Sequence, residues 1–258
     1  MTRTLIAALA CRAGGSRLYG KPLQPLDPHT GVTILDHMIA NLKACAPIDE
    51  IVLGIADGRE NQAFVDVAER WGLRSIWGDR ADVLRRLVEC GRTASATDVF
   101  RVTTECPFIE TRPLEEAWRR HVAHENDATV TDGLPEGTHL EIFRLRALEL
   151  SHAKGDASER SERCALYIRR HPSEFRVEIV DVPEAWRRLD LRLTVDYPED
   201  LVVCRAVYAA LRHHAPKIPL EAIIEFLDGR PDLQRLVAPY VTRKPIWALP
   251  PERAGAAR

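Results

Sequence analysis

Long apolar runs are absent: no stretch of about 18 consecutive apolar residues occurs, which excludes a membrane-spanning helix. The amino end passes straight into a strand-like segment without a signal-peptide pattern, so a soluble, cytoplasmic protein is expected. Excess charge of either sign is missing too. Lys and Arg number 36 against 38 Asp and Glu, for a formal net charge of -2. A broad nucleic-acid footprint is therefore not indicated, and any anion binding must be local. The six cysteines (Cys11, Cys45, Cys90, Cys106, Cys164 and Cys204) form no C-x-x-C pair, which argues against a zinc site and a disulfide framework. Most are expected to be small buried hydrophobes. Cys106 adjoins a candidate carboxylate but has no base near it in sequence, which disfavours a thiol nucleophile. No internal repeat is evident, and 258 residues suit one α/β domain with an elaboration or two small domains.

What is present is concentrated first in Cys11 to Leu23, CRAGGSRLYGKPL, directly after the apolar run Leu5 to Ala10. Glycines let backbone N–H groups approach an anion and the cations supply charge, so this loop suits a phosphate; an ordinary turn with solvated charges is the alternative. Gly15 to Lys21 also matches G-x-x-x-x-G-K, but Pro22 stands where a P-loop needs Ser or Thr. Proline offers neither the hydroxyl for Mg²⁺ nor the N–H that would open a helix toward phosphate.

Along the chain, helical apolar spacing over Val32 to Ala46, Glu60 to Trp71 and Ala81 to Ala94 alternates with strands at Ile51 to Ala56, Leu73 to Trp77 and Asp98 to Val102. This order predicts a mostly parallel sheet with helices on both faces. Ligands in such sheets sit at the carboxyl ends of the strands, so the opening loop and Thr103 to Ile109, TTECPFI, would face one ligand. From about Pro113 the alternation lapses. Leu114 to His124 is helical, short strands are expected at Ala128 to Thr131, Glu141 to Leu145, Val177 to Val182 and Asp190 to Val195, and Lys154 to Glu162 reads as a polar surface loop. This middle stretch is taken as an insertion with its own antiparallel pairing, a candidate dimer arm over about 133–190, within a domain of residues 1–240. A helix follows from Tyr197 to Arg212 with Pro198 in its first turn, another spans Pro219 to Leu227, and a disordered tail is expected at 241–258. Asp196 is either the cap of the first of these helices or a carboxylate aimed into the cleft. His121, His124, His213 and His214 suit surface or cap roles, and Trp118, Trp186 and Trp247 suit packing or interface contacts.

The loop, TTECPFI and LTVDYPEDL stand in an order that resembles the cytidylyltransferases making CMP-activated acidic sugars, in particular the branch of the spore-coat polysaccharide biosynthesis protein F. The resemblance rests on Arg12, Gly14, Gly15, Ser16, Arg17, Leu18, Gly20, Lys21, Pro22 and Leu23 in the loop. It extends to Gly78 with Asp82-Val83-Leu84, to Arg101-Val102-Thr103, to Pro135, Gly137 and Glu141, and to Thr194-Val195-Asp196 with Pro198-Glu199-Asp200-Leu201.

It implies a Rossmann-like, GT-A-like nucleotidyltransferase fold with a dimerisation insertion. It also implies transfer of CMP from CTP to an acidic sugar or sugar phosphate, with release of pyrophosphate. By the same resemblance Arg12, Arg17 and Lys21 would be catalytic. Cys11, Gly14, Gly15, Ser16, Asp82, Arg101 and Thr103 would bind the nucleotide, and Glu141, Glu162 and Arg163 the acceptor. Glu105 and Asp196 would hold Mg²⁺. A homodimer is implied as well. Two positions depart from the family pattern: Glu105 replaces the usual Asp, and Arg163 stands where the nearest branch tends to have His. Two other readings stay open: a noncatalytic nucleotide-binding homologue, and a glycosyltransferase on a similar sheet. The latter usually needs a D-x-D pair, which Asp190-Leu191-Arg192 does not supply.

Overall fold

The computed structural model describes residues 3–247. The opening apolar run forms β1 (Leu5–Cys11), which is buried along almost its whole length, as a central parallel strand must be. Then come α1 (Ile34–Lys43), β2 (Glu50–Ala56), α2 (Gln62–Trp71), β3 (Arg74–Gly78), α3 (Val83–Thr93) and β4 (Asp98–Val102). The expected alternation is therefore present, with boundaries moved by a few residues. Local chemistry sets the helix ends. Thr33 and Asp36 form a reciprocal capping box at the start of α1, and Gly72 ends α2 in the left-handed conformation.

The second half adds α4 (Leu114–Ala123), β5 (Ala128–Thr131), β6 (Glu141–Arg144), α5 (Leu145–Lys154), α6 (Ala157–Arg160), α7 (Leu166–Arg170) and β7 (Val177–Val180), then α8 (Pro198–Leu211), α9 (Leu220–Asp228) and α10 (Pro231–Val237). One seven-stranded sheet has the order β3-β2-β1-β4-β6-β5-β7. Every neighbouring pair is parallel except those made by β6, which runs antiparallel to β4 and β5.

Several expectations are corrected. The antiparallel pairing expected in the middle stretch exists between β5 and β6, but as part of the main sheet, since β6 also pairs with β4 and β7 with β5. Asp190 to Val195 is not a strand, and its link to the 133–140 segment is the single bridge Glu136 to Arg192. Leu191, Leu193 and Val195 are nonetheless buried, so the apolar alternation is met by core packing without a ladder. Lys154 to Glu162 is not an open loop. Asp156 and Glu159 form a capping box for α6, and the buried Glu159 carboxylate accepts from Arg170 Nη1 at 2.9 Å.

The sheet divides two apolar layers. Leu5, Ala7, Leu9 and Cys11 face one side with α1, α8 and α9, while Ile6 and Ala8 face the other with α3, α5 and α7. Within the segment expected as tail, Trp247 is 1 % exposed and packs in the second layer, where its ring lies 6.1 Å from that of Phe143. Residues 248–258 of that expected tail lie outside the described residues. His121 belongs to neither surface nor cap. It is fully buried, with Nε2 3.0 Å from the Asp98 carboxylate and Nδ1 2.8 Å from the Thr129 hydroxyl. Because the Asp98 carboxylate only accepts, Nε2 carries the proton and Nδ1 accepts from Thr129.

Candidate active site

Chain order puts the switch in crossover direction between β1 and β4, so the loops leaving these two strands flank one crevice at their carboxyl ends. The first loop is closed on itself: Gly20 N–H donates to Ala13 C=O at 2.8 Å, and Gly20 has φ 60°, a conformation that favours glycine. Ala13 N–H donates to Asn61 Oδ1 at 2.7 Å, and Asn61 Nδ2 donates to Ala56 C=O at 2.8 Å. A buried amide thereby fastens the loop to the end of β2. Gly15 leaves no room for a side chain, since a Cβ there would stand 2.5 Å from Leu18 C=O. Lys21 to Leu23 is a 3₁₀ turn containing the buried Pro22, not the start of an α-helix, which separates the loop from a P-loop in geometry as well as in sequence. Gly14, Gly15 and Ser16 line a cavity of about 350 Å³ with Asn61 and Arg80, beside Arg12.

Opposite stands TTECPFI. Val195 N–H donates to Glu105 C=O at 2.8 Å, which brings Asp196 beside this bend. The choice left open for Asp196 is resolved by Asp200. The Asp200 carboxylate accepts from the N–H groups of Asp196 and Tyr197 at 2.8 and 2.9 Å, caps α8, and is also bound by Arg192. Asp196 is thus released from capping and points into the crevice, where it accepts from Lys21 Nζ at 2.7 Å, Arg192 Nη2 at 2.8 Å and, longer, Arg17 Nη2 at 3.5 Å. Burial alone would raise its pKa, but the bonds from Lys21 and Arg192 hold it below the usual carboxylate range. Glu105 lies on the other side of that balance. Burial pushes its carboxyl upward, Lys21 opposes this, and the neighbouring Asp196 charge adds to it. Two carboxylates in one half-buried crevice form a hard-oxygen pair that a divalent cation would relieve, so the donor set fits Mg²⁺. Among the described residues no group of three His, Cys, Asp or Glu is placed to hold a metal ion, which leaves further coordination positions to a ligand's own oxygens or water.

The other expected residues divide. Arg12 pairs with Glu162 at 2.8 Å at the crevice mouth, and Thr103 lines it. Arg101 donates to Glu141 at 2.5 Å and to Glu162 C=O at 2.9 Å, and the second Glu141 oxygen accepts from Trp247 Nε1 at 2.8 Å. Glu141 thereby positions Arg101 and Trp247 while also lining the cavity on the far side of TTECPFI. Cys11 is fully buried with its side chain in the core, and burial holds its thiol far above the ordinary range. Asp82 caps α3 and accepts from His152 at 2.7 Å, so it serves the fold. Arg163 is exposed and lines none of the cavities described here. Asp190 lies in a surface pair with Arg188, which also binds Asp228 on α9, so it offers nothing to a D-x-D metal site.

Residues not anticipated also shape the crevice. Arg192 joins Glu136, Asp196 and Asp200, and a lone cation inside the apolar run DLRLTV was the available signal. On the far side of TTECPFI a second cavity, about 210 Å³, is lined by Arg101, Thr103, Glu136, His139 and Ile246. His139 Nε2 is buried without a partner among the described residues, and burial lowers the His139 pKa and favours the neutral ring.

A doubly layered, mostly parallel sheet with a cationic glycine loop and two carboxylates at its switch point defines an α/β nucleotidyltransferase. The model of the family described as cytidylyltransferase matches residues 6–226, and the chain belongs to that family. It is 26 % identical over 230 residues to the spore coat polysaccharide biosynthesis protein SpsF of Bacillus subtilis, covering 88 % of this chain and 95 % of that relative. In fold it is similar to a cytidylyltransferase from Leptospira borgpetersenii, with TM-score 0.80 and 20 % identity over 90 % of this chain and 97 % of the other. A CMP:2-keto-3-deoxy-manno-octonic acid synthetase solved with CTP matches with TM-score 0.62 and 16 % identity, over 80 % of this chain and 99 % of the other. Among the described residues no helix is long and apolar enough to cross a membrane.

Proposed function

We propose that this chain, as a cytoplasmic homodimer using Mg²⁺, transfers CMP from CTP to an acidic sugar or sugar phosphate destined for a surface polysaccharide. The observation that carries the reading is the convergence of Lys21 and Arg17 on Asp196, beside Glu105, at the switch between β1 and β4. An acceptor oxygen attacks the α-phosphorus, the α–β phosphoanhydride bond breaks, and pyrophosphate leaves with the bridging oxygen. A hydroxyl acceptor passes its proton to solvent as the new bond forms, whereas a fully ionised phosphate acceptor carries none to lose. The chain's task is alignment and charge neutralisation. The loop N–H groups and Arg12 and Arg17 hold the triphosphate, and Lys21 shares its charge between Asp196 and the phosphates. Glu105 and Asp196 would hold Mg²⁺, which would polarise the α-phosphoryl group.

The cavity beyond TTECPFI suits the hydroxyl-bearing body of the acceptor. Among the described residues its lining guanidinium is Arg101, already paired with Glu141, so an anionic end of the acceptor is assigned to the side of the loop cations. Pyrophosphate release is followed with CTP, Mg²⁺ and a panel of sugar acids and sugar phosphates, alongside calorimetry of CTP binding. Absence of both release and CTP binding sinks the proposal; binding with turnover of a different nucleotide keeps the class and changes the base. Glu105→Asp separates an adapted ligand, for which turnover falls, from an impaired site, for which it rises.

A further inference from the structure

The nucleotide site described above leaves one buried cation unused. Arg86, on α3, is 1 % exposed and lines the narrow cavity between the glycine loop and TTECPFI together with Arg12, Thr103 and Glu105. Its Nη1 donates to Cys11 C=O at 3.0 Å and to Gly54 C=O at 2.9 Å, so it ties together the carboxyl ends of β1 and β2. Among the described residues its buried Nε has no partner and no carboxylate forms an ion pair with it. The space it occupies is built for it. A Cβ at Gly78 would stand 2.8 Å from Arg86 Cγ, so a glycine at the end of β3 admits the stem.

A guanidinium withdrawn from water is normally matched by a carboxylate or another anion, because two neutral carbonyls do not offset a full charge. Here burial is the main influence lowering the Arg86 pKa, and the nearby Arg12 charge acts in the same direction. The strand ends it braces are those that launch the phosphate loop. We infer that Arg86 is an anion-recognising residue of this enzyme, whose missing partner is a phosphoryl oxyanion of the bound nucleotide or of pyrophosphate. The inference rests on the crevice being a polyphosphate site, but not on cytosine or on any acceptor. Hydrogen bonds to charged groups are typically strong enough that losing one weakens binding about tenfold or more.

Calorimetry with inorganic pyrophosphate and with CTP, on wild type, Arg86→Lys and Arg86→Met, tests this. Binding of both probes should weaken about tenfold or more in the Met variant and less in the Lys variant, with the variants verified as folded by circular dichroism. A folded Met variant that binds both probes like wild type overturns the inference. Should the Met variant not fold, ¹⁵N-labelled wild-type protein decides. The Arg86 Nε–H resonance moves on titration with inorganic pyrophosphate if the inference holds, and stays in place if Arg86 only braces the strands. Movement with pyrophosphate but no turnover of CTP with any acceptor supports this inference while removing the proposed reaction.

Discussion

Lys21 is the residue on which both sides of the crevice depend: its ammonium bonds the Asp196 carboxylate at 2.7 Å and lowers the cost of charge on Glu105. Lys21→Met should leave the fold intact, because Asp196 keeps its bond from Arg192, and should lower kcat/KM by about a hundredfold, the scale of losing one preorganised charge donor. Pyrophosphate release at varied CTP measures it. His37 gives a residue-scale prediction of another kind. It is buried between the rings of Phe108 and Tyr208, and burial lowers its pKa from 6.5 to about 4. Between those values the unfolded chain binds a proton that the folded chain refuses, so stability falls as pH falls through that window. The loss reaches about 3 kcal/mol from this group alone. Urea midpoints at pH 7 and pH 4.5 should lie closer together in His37→Leu than in wild type; equal spacing would count against the assignment. That Arg12, Gly14, Gly15, Ser16, Arg17 and Lys21 share one cationic, glycine-rich turn was legible because glycine and cation chemistry is local. The burial of the Cys11 side chain and the capping role of Asp82 were not, because side-chain direction and capping partner are not written in a motif.

Among the elements, the start of α8 best shows what a motif conceals. TVDYPEDL presents three acids, and spacing alone allows Asp196 to be the cap. Asp200 takes that role by reaching back to two N–H groups while binding Arg192 with both oxygens. The helix start and the placement of Asp196 therefore depend on one carboxylate that is 1 % exposed. Asp200→Ala should cost about 3 kcal/mol, the lower end for breaking a buried pair, because Arg192 keeps Glu136 and Asp196. Chemical denaturation checks this, and kcat should fall more than CTP affinity as Asp196 loses its support. The segment carrying Ile246 and Trp247 makes the complementary point. Asp132 accepts from both of their N–H groups, at 2.9 and 3.0 Å, and seats Trp247 over Glu141. A short stretch after the last helix carries no periodicity, so nothing local announced that it would wall a cavity.

At the scale of the whole molecule, a crevice assembled from the ends of several strands should be coupled to global stability. CTP with Mg²⁺ at about a hundred times its dissociation constant should add about 2.7 kcal/mol, which for a domain of this size raises Tm by roughly 5–10 °C. Differential scanning calorimetry with CTP, and with ATP as comparison, reads the effect. An equal shift with ATP would show that the site reads the triphosphate and not the base.

The sequence by itself determined the alternating strands and helices of the first hundred residues, the phosphate-suited loop and the candidate acids after β4 and before α8, because hydrophobic period, glycine freedom and charge act over a few residues. Tertiary structure decided the rest. It placed β6 and β7 in the main sheet, released Asp196 through Asp200, joined Glu141 to Arg101 and Trp247, and buried Arg86 without a carboxylate among the described residues. Each of these depends on which distant groups meet once water is excluded, and a buried polar group takes whatever partner the packing brings to it.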